Sequence, residues 1–266
     1  MEQKAKRIGK LNIIDLIAIV LIVAVLAVGA VTAAVLLDRS GFDGLRRSII
    51  YAKAVKDENG CAQLYRYSSD QSGRFASLEG SLVSVSMHQI AVLDEKNRAV
   101  YDEAVKFQTP ALQAQGGRAV AYDVGGTAVY VLNESGEERE LTAGGPVVSA
   151  NLNSSGMLAV TAQVSGTKGR INVYTADGAE LAEVNAHRRF AADACVTEDG
   201  KTLAVVLMGQ EEGTFVSDVV FYDLTKPGEA EITADCLVSD GLVTAMQCRG
   251  DRVLMVTDTC FASGRS

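Results

Sequence analysis

Two hydrophobic patterns divide the chain. Residues 16–37 form an unbroken run of 22 residues without a charge, fourteen of them Leu, Ile or Val and six Ala. As a helix this run is about 33 Å long, which matches a bilayer core of about 30 Å. It predicts a transmembrane signal-anchor rather than a cleaved signal peptide, whose apolar stretch runs only about 7 to 15 residues. From about residue 62 the pattern changes. Short β-rich runs alternate with Gly, Asp and Asn turns, the pattern of an all-β domain.

The β runs recur as a unit. One unit reads through strands at 118–124 and 128–132, a turn at 134–136 and a strand near 140–141. The next has 157–164, 171–174 and 180–184; the third has 201–208, 219–222 and 230–233. A Gly opens each unit, at Gly117, Gly156, Gly200 and Gly250, with spacings of 39, 44 and 50. Each Gly turn is fed by a further strand, as at 147–152, 191–196 and 242–247. Four antiparallel strands at this period predict β-propeller-like, WD40-like blades, four units and part of a fifth. A β-sandwich is the alternative. The predicted organisation is a cytoplasmic tail at 1–15, the membrane helix at 16–37 and a juxtamembrane linker at 38–61. The propeller-like domain follows at 62–260, with a tail at 261–266.

Charge sharpens this picture. The net charge is -8. Lys4, Lys6, Arg7 and Lys10 precede the apolar run, so the positive-inside rule keeps that flank cytoplasmic and sends the domain outside. Arg39, Arg46 and Arg47 on the other flank oppose this order. The acidic remainder argues against nucleic acid, whose phosphates need a basic footprint. The five cysteines include no CxxC, and with two histidines they supply no zinc-ligand spacing. Cys236 and Cys248 flank one strand and either pair or stay as buried thiols.

Three stretches, residues 107–112, 122–130 and 197–204, together with the lysine-rich start and single anchor, resemble a bacterial domain-of-unknown-function family, numbered fifty-seven eleven. The resemblance covers nearly the whole chain and implies a cell-membrane protein of the bacterial envelope. It supplies no catalytic residues, and it implies members that run further to close the ring. More distantly the chain resembles WD40 and quinoprotein-type propellers, but it lacks their recurrent Trp, so no quinone cofactor is implied.

No chemical motif outweighs its plain reading. Ser165 and Lys168 match S-x-x-K, but the partner motifs of penicillin-binding proteins are missing and the setting is a hairpin loop. Arg249-Gly250-Asp251 occupies the recurrent Gly turn. Asn133 and Asn153 begin glycosylation sequons on expected exposed turns, which are also ordinary turn sequences. The segment 57–60 is a fragment of a calcium loop without the remaining ligands.

Loop lengths carry the functional expectation. Middle loops lengthen along the chain, from 125–126 to 165–169 to 209–218, while the opposite face keeps tight turns. One-sided variation marks a binding face. That face carries Lys168, Arg170, His187, Arg188 and Arg189, suited to an anionic ligand or an acidic partner, with Glu211 and Glu212 beside them. A mixed solvated surface is the plain alternative. The expected function is a membrane-anchored protein- or ligand-binding module facing an envelope protein or a wall-associated ligand. An envelope hydrolase or lyase using the central pocket, or a ligand sensor, is the alternative. No cofactor or metal is expected.

Overall fold

The computed structural model describes residues 20–25, 73–226, 228–238, 241–250 and 252–265. The chain divides into two units, Met1–Ala62 and Gln63–Ser266. In the first, residues 20–25 are helical, with Val20 to Val23 and Val25 exposed. Among the described residues no helix is long and apolar enough to cross a membrane. The rest of the predicted span at 16–37, the tail at 1–15 and the linker at 38–61 lie outside the described residues.

The described residues of the second unit form five β-sheets, antiparallel apart from one short parallel pair. The first comprises β1 (Arg74–Leu78), β2 (Ser81–Val85), β3 (Gln89–Leu93) and β4 (Ala99–Ala104) in sequence order. The second comprises β5 (Pro110–Gln115), β6 (Arg118–Asp123), β7 (Ala128–Asn133) and β8 (Gly136–Thr142). The third comprises β9 (Val147–Leu152), β10 (Leu158–Ala162), β11 (Arg170–Tyr174) and β12 (Glu180–Asn185). In the fourth, β13 (Phe190–Val196), β14 (Thr202–Glu211) and β15 (Thr214–Asp223) lead to β17 (Glu231–Val238). Between the last two, β16 (Gly228–Glu229) leaves its sheet and pairs in parallel with β12 through Ala182 and Glu183. The fifth has three strands, β18 (Val243–Arg249), β19 (Arg252–Thr257) and β20 (Phe261–Arg265). The residues expected as a C-terminal tail thus form a strand, because Phe261 to Arg265 pair with β19.

The sheets are blades stacked face to face. Leu78, Val83, Ile90 and Leu132 form the core between the first two, and Val120, Val129, Leu152 and Leu158 the next. Ile171, Val184, Leu203 and Val220 pack the third against the fourth, and Val206, Phe221, Val253 and Met255 the fourth against the fifth. Successive side chains of a strand point to opposite faces. In β14, therefore, Leu203 and Val205 face one neighbour while Ala204 and Val206 face the other. This explains the wholly apolar second strand of each unit, and it removes the sandwich alternative.

The two ends of the blades differ, though not by the steady lengthening of the middle loops that was expected. At one end Gly117, Gly156, Gly200 and Gly250 sit in tight turns at positive φ, which glycine adopts without steric cost. At the other end, middle loops bond to blade-to-blade connections: Phe107 N donates to Met87 O, Gly125 N to Val147 O and Ala191 N to Lys168 O. One sequence expectation is corrected here. Residues 209–218 are not a loop but the continuation of β14 and β15, paired as far as Glu211 and Thr214. Only Glu212 and Gly213 turn, both at positive φ, as a two-residue hairpin of matching twist requires.

Cysteine pairing is corrected as well. Cys248 bonds to Cys195, joining β18 to β13, and not to Cys236, which is exposed and forms no disulfide. Asn153, expected on an exposed turn, is 2 % exposed. Its amide oxygen accepts from Ser155 N and Met157 N, and its amide nitrogen donates to Thr197 O of the fourth sheet. Its role is to join blades.

Candidate functional site

The fourth blade outgrows its neighbour. β14 and β15 have ten residues each and β17 eight, whereas β12 has six. The third blade therefore stops short, and one face of the fourth continues uncovered above the shared core. The result is a cleft of about 650 Å³. Its floor is Leu207, Val220, Tyr222, Ile232 and Leu237. Register puts these on one face, since Leu207 pairs with Asp218, Asp218 with Leu237 and Tyr222 with Ile232. The opposite wall is the connection from Asn185 to Arg189. Ile232 and Leu237 remain 63 % and 52 % exposed, and Phe215 at the ribbon end is 67 % exposed.

Charge collects at the mouth. Arg189 forms ion pairs with both Glu211 and Asp218. Its guanidinium thus ties the blade connection to both strands of the projecting ribbon. Asp235 lines the same cleft. Burial pushes the Asp218 carboxyl above the ordinary carboxylate value; the charges of Asp235 and Glu211 add to this, while Arg189 opposes it. Burial likewise raises the Tyr222 phenol, again with Asp235 contributing.

The structure gathers part of the expected face and gives several of its cations internal work. His187, Arg188, Arg189 and Glu211 line the cleft, and Glu212 sits in the ribbon turn beside it. Lys168 lies next to them but donates to Arg188 O at 2.9 Å and stands 5.3 Å over the Phe190 ring. Arg170 donates to Asn185 at 3.1 Å and pairs with Glu183 at 3.3 Å. Of the five basic residues, Lys168, His187 and Arg188 are exposed, while Arg170 and Arg189 are half-buried. Sequence reasoning missed Asp218, Asp235, Tyr222, Ile232 and Leu237. The available signal was the length of the β runs after residue 201, obscured by reading residues 209–218 as a loop.

The inner strands form a second polar region. Asp193 of β13 accepts from Asn151 Nδ2 of β9 at 2.6 Å and from Met246 N of β18 at 3.2 Å, so one carboxylate joins three blades. Gln247 of β18 donates to Gln115 of β5 at 3.1 Å. These groups satisfy one another as interior bonding requires. No group of three or more His, Cys, Asp or Glu among the described residues is placed to hold a metal.

Comparison with solved structures agrees with the blade architecture. The β-propeller domain of Cps50 (Swd1) from Myceliophteria thermophila superposes with a TM-score of 0.53 at 13% identity, covering 73% of this chain and 65% of that one. Hydrazine synthase of Kuenenia stuttgartiensis gives 0.49 at 15% identity, covering 68% and 53%, and Hsv2p of Kluyveromyces lactis gives 0.48 at 16%, covering 76% and 70%. The chain thus spans about half to two thirds of the length of these structures. At such identities the likeness concerns the fold alone. No curated protein matches the chain. A family model does match, over residues 57–261, and the chain accordingly belongs to the family of unknown function DUF5711.

Proposed function

We propose that this chain is a binding module of the cell envelope, carried outside the cytoplasm on an anchor at residues 16–37. It presents the cleft and ribbon of the fourth blade to a protein or ligand there. The observation that carries the reading is the cleft itself. Apolar side chains stand exposed on a rigid β face, and Arg189 holds the ribbon beside them in a fixed position. Concave, partly apolar sites with a few fixed polar groups are the usual form of binding sites. The disulfide between β13 and β18 supports the compartment, because such bonds persist in oxidising surroundings. The acidic net charge speaks for a partner other than nucleic acid.

The test is capture of the tagged full-length chain after crosslinking in intact cells, beside an Ile232→Ser, Leu237→Ser variant. The reading expects a reproducible envelope component that the variant fails to retain. Equal recovery by both forms contradicts it.

A further inference from the structure

Resting on the binding-module reading, we infer that the cleft of the fourth blade accepts an extended segment of a partner protein that carries Lys or Arg side chains among apolar ones. Three observations combine. First, the floor is one face of a β-sheet, with exposed Ile232 and Leu237 on its outer strand. An extended segment lying along such a face offers side chains at the same period of two. Second, the mouth concentrates carboxylates. Glu211, Asp218 and Asp235 line it, and the guanidinium fixed among them, that of Arg189, is already shared between two of the three. Asp235 adds unfavourably to the charge at Asp218, so a further cation between them relieves that repulsion. Third, the apolar floor and the acidic mouth adjoin. A Lys or Arg side chain matches that order, its aliphatic stem lying on Ile232 and Leu237 and its charged head reaching Asp218 and Asp235. Arg188 at the rim confines the basic requirement to the carboxylate end. This reverses the charge preference that the five basic residues of the loop end suggest when read without their ion pairs.

The experiment measures fluorescence anisotropy with the purified full-length chain and two labelled peptides, one alternating Lys with Leu and one alternating Glu with Leu. The basic peptide is expected to bind saturably, and added salt is expected to weaken it. Asp235→Asn, an exposed change that leaves the fold intact, and the Asp218→Asn, Asp235→Asn pair are each expected to weaken it, the pair by about tenfold or more. The acidic peptide is expected not to bind. Binding of the basic peptide that is absent, or unchanged in both variants, overturns the inference. If the acidic peptide binds instead and Arg188→Ala abolishes that binding, this inference fails while the binding-module reading stands. If neither peptide binds, this inference fails and the intact-cell capture decides the other.

Discussion

Cys195 of β13 and Cys248 of β18 tie the innermost strands of the fourth and fifth blades together, with Cα atoms 5.9 Å apart. Both are almost fully buried, at 3 % and 2 % exposed, in the core that the two blades share. The covalent link thus reinforces the joint that carries the three-stranded blade.

The loop closed by this bond spans 53 residues, which corresponds to about 4 kcal/mol of unfolded-state entropy in the chain model. The paired substitution Cys195→Ala, Cys248→Ala is expected to lower the melting temperature markedly. It is also expected to raise amide exchange in β18 and β19 before β5 to β8. Calorimetry and hydrogen exchange check both. Unaltered exchange in β18 and β19 contradicts the assignment of this bond to the joint.

Asp193 predicts a pH dependence. Burial raises its carboxyl above the ordinary carboxylate value, although hydrogen bonds from Asn151 Nδ2, Ala194 N and Met246 N hold it back. A raised value means the folded state takes up the proton first. The contribution of this group to stability is then fully present below the unfolded value and is lost as pH rises through the folded one. Asp193→Asn removes that component. Thermal melts across the window above pH 3.8 are expected to give a wild-type-minus-variant difference that declines with rising pH. A difference that grows with pH contradicts this account.

Arg189 is expected to be the structural pin of the ribbon. Arg189→Ala leaves Asp218, whose side chain is 16 % exposed, without its cation beside two other carboxylates. The cost is expected to be about 1–2 kcal/mol, less than for a fully buried pair because Glu211 is well exposed. Hydrogen exchange at residues 209–216 is expected to rise, and Arg189→Lys to restore only part of the protection, since an ammonium lacks the forked geometry.

Gly116 sits at φ +60°, and a Cβ there would overlap the Ser154 carbonyl oxygen in the turn of the third blade. Gly116→Ala is expected to cost roughly 2–3 kcal/mol by combining backbone strain with a clash. Gly213→Ala, at φ +86° with open space around it, is expected to cost only about 1 kcal/mol. Denaturant titration of the two variants checks the order.

The blades were legible because their signals are local. Gly117, Gly156, Gly200 and Gly250 each mark a turn at positive φ, and a strand buried on both faces has to be apolar throughout, as residues 203–206 are. The cleft was less legible because its parts meet only through register. Asp235 reaches the Asp218 region because β17 pairs with β15, and nothing at residue 189 announces partners at 211 and 218. Arg189 therefore read as a free cation of a basic patch. The ribbon was misread because Gly209, Gly213 and the charged Glu211 and Glu212 make residues 209–218 resemble a loop, although Gln210 pairs with Phe215 across the hairpin. The disulfide was missed because nearness in sequence favoured Cys236, while β13 and β18 come together through blade stacking.

The most direct test of the binding-module account places a photo-crosslinking residue at position 232 in the cleft floor and, separately, at position 103 on the exposed outer strand of the first blade, and illuminates intact cells. The account predicts a discrete adduct from position 232 and none from position 103. Equal adducts from both positions, or none from position 232, would contradict it.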